Sequence, residues 1–315
     1  MPRKPRPRGR CLKKRLFVTG FSGFVGQHIQ SRLASPDSAW ELLPAASRYD
    51  LTAPDNLVDL WPQMPDAVIH LAGQTFVPEA FRDPARTLDI NLLGTLNLLQ
   101  ALKTRGFQGT FLYVSSGDVY GQVSESDLPI TEQQAPCPRN PYAVSKLSAE
   151  FLSLQWGLSE DWPVLVARPF NHIGAGQKEG FVIASAARQI NRIKQGLQAP
   201  QLEVGDIDVT RDFLDVGDVI SAYFALLEKG VPGQVYNICS GREQSIRSLI
   251  EQLADLAEVP VQLVQDPARM RRADQRRVCG SHTKLTRTTG WTPEITTQQS
   301  LRAILSDWEK RVKQE

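Results

Sequence analysis

The chain has 315 residues, 41% hydrophobic and 22% charged, an ordinary globular composition with length enough to bury one large core or two modest ones. No apolar run approaches the roughly 20 residues that cross a membrane. The formal charge of +2 hides an asymmetry: residues 1–15 hold eight Lys/Arg and no acid, so the rest of the chain is net acidic and offers no footprint for a nucleic-acid groove. Residues 1–14 read as a basic, disordered tail or the product of an upstream start codon; the sharper reading is an arm for nucleic acid or anionic lipid. Cys11, Cys137, Cys239 and Cys279 form no Cys-x-x-Cys pair. Without a secretory apolar region they point to a reducing cytoplasm, not to disulfides or a zinc site.

Arg15–Thr19 reads as a short strand. It runs into Gly20-Phe21-Ser22-Gly23-Phe24-Val25-Gly26 and then an amphipathic helix. Strand, Gly-x-x-Gly-x-x-Gly and helix is a dinucleotide-binding arrangement, in which glycines let backbone N–H groups approach a pyrophosphate at a helix N-terminus. A second strand is expected at Leu42–Ala46. An NAD enzyme would place an acid about 20 residues past the glycines. Here stands Ala46-Ser47-Arg48, and a guanidinium suits a 2′-phosphate, which favours NADP(H), with NAD(H) as a weaker substitute.

Asp66–Gly73 reads as a buried strand ending in small residues, with His70 as a satisfied core histidine. Asp83–Arg105 reads as one long helix, apolar over more than one stripe, with Asn91 its polar exception. Thr110–Ser115 is the next strand and presents Ser115 and Ser116. After a Pro-rich loop, Tyr142 opens a helix to about Gly157, placing Tyr142 and Lys146 on one face. A hydroxyl at a strand end with a phenol beside an ammonium is a proton-delivery device, and the lysine is expected to draw the phenol down from about 10 toward neutral pH. Val164–Pro169 is a further strand. Alternating strands and helices predict a doubly wound α/β fold, a Rossmann-type parallel sheet with its ligands at the carboxyl ends of the strands, followed by a smaller C-terminal α/β substrate domain.

Beyond Phe170 come the Gly-rich loop Asn171–Gln177, a helix at 181–194, Leu202–Gly205, Arg211–Val216, a helix at 219–229, a strand at 235–238 and a helix at 246–256. Arg188, Arg192 and Lys194, with the cluster Arg269–Asp274, suggest a clamp for a second diphosphate.

These motifs, with Pro169-Phe170-Asn171-His172 and Arg211-Asp212-Phe213, resemble the extended short-chain dehydrogenases/reductases acting on nucleotide sugars. The resemblance covers about residue 15 to the end. It implies a cofactor-binding Rossmann domain at 15–171 and a mainly nucleotide-sugar-binding domain at 172–315, with segments near 213–239 and 291–312 returning to the first. Gly20, Gly23, Phe24, Val25 and Gly26 would hold the pyrophosphate of NADP(H). Arg48, Asp50 and Leu51 would lie at the adenosine end, Leu71, Ala72, Gly73, Gln74 and Thr75 would line the cofactor, Asn91 would support the site, and His172 would sit near the nicotinamide. Ser116, Tyr142 and Lys146 would be the catalytic trio, with Tyr142 and Lys146 also touching the cofactor. Ser115, Ser116, Asn171, Arg211, Arg271, Arg272, Ala273 and Asp274 would bind a GDP-sugar. Arg271-Arg272 departs from the Arg-Pro of many relatives, which leaves the grip of that loop open. The implied reaction is NADPH-dependent reduction of the C4 carbonyl of a GDP-4-dehydro-6-deoxyhexose. The rivals are a 4,6-dehydratase, a 4-epimerase and a non-catalytic nucleotide-binding partner. Helices 83–105 and 142–157 resemble those that form a homodimer in this family.

Overall fold

The first strand forms because Leu16–Val18 offer apolar side chains to both faces of a sheet, and such strands are stable only when covered on both sides. The computed structural model describes residues 13–266 and 275–315, so residues 1–12 of the basic tail and the predicted Arg271, Arg272, Ala273 and Asp274 lie outside the described residues. In chain order the first elements are β1 (Lys14–Thr19), α1 (Phe24–Leu33), β2 (Trp40–Leu42), β3 (Ala67–His70), α2 (Val77–Arg82), α3 (Pro84–Leu88), α4 (Gly94–Thr104), β4 (Thr110–Val114), α5 (Pro141–Glu160) and β5 (Val164–Pro169). They continue through β6 (Asn171–Ile173), α6 (Val182–Lys194), β7 (Gln201–Val204), β8 (Thr210–Asp215), α7 (Val216–Lys229) and β9 (Val235–Ile238). The last are β10 (Glu243–Ser245), α8 (Ile246–Ala257), β11 (Gln262–Gln265), α9 (Thr283–Thr289) and α10 (Thr297–Val312).

The main sheet has the order β2-β1-β3-β4-β5-β9 with every pair parallel. The chain moves outward from β1 to β2 and then returns past β1 to β3, so the strand order reverses between β1 and β3. Loops leaving the two strands there open a crevice, the usual place for a ligand in such sheets. One face of the sheet packs on α1 and α7 through Ile29, Leu33, Val219, Ile220 and Tyr223; the other packs on α4 and α5 through Leu98, Leu102 and Ala149. Two smaller sheets, β10-β8-β6 and β11-β7, belong to a second body whose core joins α6, α8 and α10.

Three expectations shift. The second strand ends at Leu42, not Ala46: the Leu43 amide still donates to Leu16 O at 2.8 Å, but Pro44 has no N–H to continue the ladder. The helix expected over 83–105 is α3, a π-helical turn at Asp89–Leu93 and α4 in succession, with Asp83 capping the Arg86 amide at 2.9 Å ahead of Pro84. Segment 291–312 divides: Trp291 joins the core of the main sheet, whereas α10 presents Leu301, Ile304, Trp308 and Val312 to α6 and α8, because a stripe at that spacing is buried only against other helices.

Candidate active site

The crevice is built by close backbone approach. Gly20 has φ +69°, and a Cβ there would stand 2.9 Å from the Ala72 nitrogen; a Cβ on Gly26 would stand 2.3 Å from Phe21 O. Gly23 N donates to Gly20 O at 2.9 Å, closing the turn, and Phe24, Val25 and Leu71 pack against the core beneath it. Gly20, Gly23, Phe24, Val25, Gly26, Leu71 and Ala72 are thus brought together. A methyl group at 26 has no room, so Gly26→Ala is expected to weaken NADPH binding at least about tenfold in a fluorescence titration, the size of an overpacking penalty.

Beside the crevice Arg48, Tyr49, Asp50, Ala53 and Leu57 line a cleft of about 350 Å3, within the range of ligand sites. Arg48 is exposed. Hydrogen bonds from the Thr52 amide (2.9 Å) and hydroxyl (2.8 Å) hold the Asp50 carboxyl below its usual range. Leu51 is buried, and its carbonyl accepts from Asn97 Nδ2 at 2.7 Å. On the other side, Asn91 is delivered inward by the π-helical turn. Its Oδ1 accepts from the Gln74 amide at 2.7 Å, and its Nδ2 donates to Gln74 O at 2.9 Å and Ser145 Oγ at 2.8 Å. Gly73 is a glycine for a reason: a Cβ there would lie 2.9 Å from Asn91 Oδ1. Thr75 is exposed at the same loop.

Asn140 opens α5, its side chain accepting from the Ala143 amide at 2.7 Å, so the helix begins at Pro141 and Tyr142 sits in its first turn. Ser116 lies just past β4; its Oγ accepts from the Asp118 amide at 3.2 Å and acts on the Tyr142 phenol, drawing its pKa down. Tyr142 and Lys146 are both buried, and Lys146 Nζ stands 4.7 Å over the Tyr113 ring. The expected softening of the phenol does not occur. Burial pushes Tyr142 up, the Asp118 carboxylate pushes it further, and only Ser116 opposes them. Burial in turn lowers Lys146 to about 7 against a pull upward from Glu150, so the ammonium is too weakly held to act as the expected charge.

This lysine ties stability to pH. Its folded value lies below its unfolded 10.5. Between about 7 and 10.5 the unfolded chain carries the proton and the folded chain does not, so stability rises with pH across that window; below 7 the burial penalty is fully felt. Thermal melts of the cofactor-free protein should show this rise relative to Lys146→Met, which lacks it; parallel curves would dissociate Lys146 from the effect.

His172 donates Nδ1–H to Phe170 O at 3.1 Å, leaving Nε2 as an acceptor, and its ring stacks on Phe24 at 6.0 Å and 1°. Burial lowers its pKa, which keeps the ring neutral. Asn171 is exposed on β6, and β6 pairs with β8, which carries Arg211. Arg211 is half-buried; burial lowers it, while the charge of Asp118 across the cleft holds it up. Ser115 is buried and its Oγ has no hydrogen-bond partner. The proposed second clamp is not assembled by α6. Arg188 pairs with Glu179 at 2.6 Å and with Glu315 at 2.9 Å, Arg192 also pairs with Glu315, and Lys194 caps Ala257 O at 3.2 Å.

One group escaped the reading of the sequence, and another gains a second role. Asp118, which the sequence marks as the short counterpart of a dehydratase glutamate, also acts electrostatically on both Tyr142 and Arg211. The group that escaped is Glu150, which lies on the helical face of Tyr142 and Lys146 and makes a buried pair with Arg168 at 2.5 and 3.1 Å.

The family model described as GDP-mannose 4,6 dehydratase matches residues 44–304. The chain is 73% identical over 304 residues to the GDP-6-deoxy-D-mannose reductase of Pseudomonas aeruginosa, covering 96% of this chain and 100% of the relative. The structure of RMD from Pseudomonas aeruginosa complexed with NADPH is 72% identical, with a TM-score of 0.92, covering 95% of this chain and 100% of that one. The UDP-glucose 4-epimerase of Thermotoga maritima with UDP-glucose is 25% identical, with a TM-score of 0.84, covering 95% and 99%. With its parallel sheet, its glycine crevice and these likenesses, the chain belongs to the GDP-mannose 4,6-dehydratase family of extended short-chain dehydrogenases/reductases.

Proposed function

We propose that the protein reduces the C4 carbonyl of GDP-4-dehydro-6-deoxy-D-mannose with NADPH, giving GDP-6-deoxy-D-mannose (GDP-D-rhamnose), a donor sugar for surface polysaccharide such as lipopolysaccharide. The observation that carries this reading is the buried, protonated Tyr142 with Ser116 near enough to lower its pKa, in a chain 73% identical to a reductase of that name. The cradle fits a dinucleotide: at Gly20 and Gly26 any side chain would collide with backbone, so the backbone there is free to approach a pyrophosphate. Gly20, Gly23, Phe24, Val25 and Gly26 would hold that pyrophosphate, Arg48 and Asp50 the adenosine end, Leu71–Thr75 and Asn91 the middle, and His172 the nicotinamide end.

When bound, NADPH supplies a hydride to C4. Tyr142 gives its proton to the oxygen as charge develops there, and its raised pKa keeps that proton in place until it is needed. Ser116 stabilises the same oxygen, and Lys146, titrating near 7, can return a proton toward Tyr142. Asn171 and Arg211, with Arg271–Asp274, grip the GDP part. Residues 15–171 act mainly as the cofactor half and 172–315 as the sugar-nucleotide half.

The dehydratase reading has one observation in its favour: Asp118, an exposed carboxyl whose pKa desolvation nonetheless raises, stands two residues after Ser116, where dehydratases of this kind carry a glutamate. It is a methylene shorter, and Gly117 beside it has its Cα against the Phe170 ring, with 3.1 Å left for any Cβ. Loss of NADPH absorbance with the 4-keto substrate, and NMR of the product at C4, test the reduction. A 4-keto product from GDP-mannose and NADP alone would show the dehydratase instead.

We also propose a cytoplasmic homodimer. Among the described residues no helix is long and apolar enough to cross a membrane. Phe81, Leu93, Phe151 and Leu158 are exposed by 61%, 48%, 57% and 87%, and all lie on or beside the helices 83–105 and 142–157. Light scattering at micromolar concentration should give twice the chain mass; a monomer mass would refute the pairing.

A further inference from the structure

His70 is the last residue of the apolar strand β3 and takes no part in the chemistry above, yet it is hydrogen-bonded at both ring nitrogens. Thr19 Oγ1 lies 2.6 Å from Nδ1, and Thr95 Oγ1 lies 2.9 Å from Nε2. The network decides the proton positions. Thr95 spends its single hydrogen on Asn91 O at 2.6 Å, so toward His70 it can only accept, and Nε2 must carry the proton. Nδ1 is then the acceptor, and Thr19 donates to it while accepting the Ala72 amide at 3.1 Å. Every hydrogen in this chain of groups is assigned once, with none left over. Thr19, His70, Thr95 and Asn91 are each no more than 2% exposed.

The two ends of this chain are parts of the crevice. Thr19 immediately precedes Gly20, and Ala72 belongs to the facing loop against which Gly20 is packed. Thr95 back-bonds to the carbonyl of Asn91 inside the π-helical turn, and Asn91 holds the backbone of Gln74 with one half of its amide and Ser145 with the other. Ser145 in turn donates to Tyr142 O at 2.7 Å. The same ring sits beside Tyr113, at 5.8 Å, and Lys146 stands over the other reach of that phenol ring. A charged imidazole there would add a second cation next to Lys146. Burial and Lys146 hold His70 neutral instead, at about 3.

We infer that His70 is a positioning residue: a neutral, Nε2-protonated imidazole that joins the phosphate-binding turn after β1 to the π-helical turn carrying Asn91, and so sets the width of the cofactor crevice and the start of the catalytic helix. The residue types fit only this direction of donation, because a buried network is favourable when every member is satisfied and costly when one is not. The inference rests on the crevice taking a dinucleotide. If the unaltered protein failed to bind NADPH, that reading would fail; if it binds and the variants below are unchanged, only the role of His70 fails.

The test uses the full chain, with NADPH affinity measured by fluorescence titration and thermal melting measured without cofactor. Thr95→Val keeps the shape of the side chain but can neither accept from His70 nor bond Asn91 O. It should weaken NADPH binding about tenfold, and Thr95→Ser, which keeps the hydroxyl, should recover it to within about twofold. Thr19→Val should give a similar loss from the other end. If the imidazole couples the two, the double variant loses clearly less than the product of the single losses, as connected sites do. His70→Asn, which can still accept from Thr19 but cannot reach Thr95, should match Thr95→Val and serves where a valine variant fails to melt cooperatively. Lower melting temperatures with NADPH affinity within twofold of the unaltered protein, or losses in the double variant that multiply, would overturn the inference and leave His70 a core residue.

Discussion

Tyr142→Phe should lower kcat by about 10²–10⁴-fold, the range over which positioned acid catalysis acts, while NADPH affinity stays within a few-fold. The phenol ring fills the same space in both, since Tyr142 is buried and only its hydroxyl is lost. The alkaline side of the pH profile adds a second reading. Burial and Asp118 hold the phenol above its ordinary 10, so the unaltered enzyme should keep its proton donor through pH 9. Asp118→Asn removes one of those two influences and should bring the fall in activity to lower pH. Single-turnover measurements separate the chemical step from release of product. A kcat for Tyr142→Phe within threefold of the unaltered enzyme would remove the phenol from the reaction.

Arg168→Met should be the most damaging single change to stability away from the crevice. Arg168 and Glu150 have side chains 5% and 1% exposed and meet at 2.5 and 3.1 Å, and the guanidinium also covers the Tyr120 ring at 4.8 Å. Burial opposes the Arg168 charge, but the hydrogen bond and charge of Glu150 outweigh it and raise its pKa. Methionine would leave a carboxylate in the core without its partner, a change that typically costs about 3–5 kcal/mol. In a chain of this size that is a drop in Tm on the order of 10 °C. Adding Glu150→Gln to Arg168→Met should recover part of it, because the penalty lies in the stranded charge. The loss should also reach the active site. Glu150 is one turn beyond Lys146 on α5 and already raises its pKa. Released from Arg168, it would raise Lys146 further and flatten the gain in stability between pH 7 and 10. An unchanged melting temperature in Arg168→Met would show the pair to be energetically idle.

Much of the site could be read from the order of residues along the chain, because its pieces are local. A glycine turn needs glycines at fixed offsets from the end of a strand, and Gly20, Gly23 and Gly26 stand there. A phenol and an ammonium share a helical face when four residues apart, and Tyr142 and Lys146 do. Runs of apolar residues at Leu16–Val18, Ala67–Ile69 and Val164–Ala167 announce strands covered on both faces. These features depend on bond geometry and on nearest neighbours, which a linear sequence records directly.

What the chain order did not reveal depends on groups far apart in it. The charge state of Tyr142 was expected to follow Lys146, its neighbour on the helix; it follows burial and Asp118 instead, because the surrounding protein removes the water that would otherwise support an ion. Arg188 and Arg192 looked available to a diphosphate until folding brought Glu315 beside them. His70 looked like an ordinary core residue, and only the approach of Thr19 from one side and Thr95 from the other, 51 and 25 residues away, gave its two nitrogens different tasks. Hydrogen bonds and desolvation act over a few ångströms in space regardless of separation along the backbone. The sequence by itself therefore determined the parallel sheet, the glycine turn and the helical face shared by Tyr142 and Lys146, while the tertiary structure alone decided their protonation, their partners and the buried polar links that hold them in place.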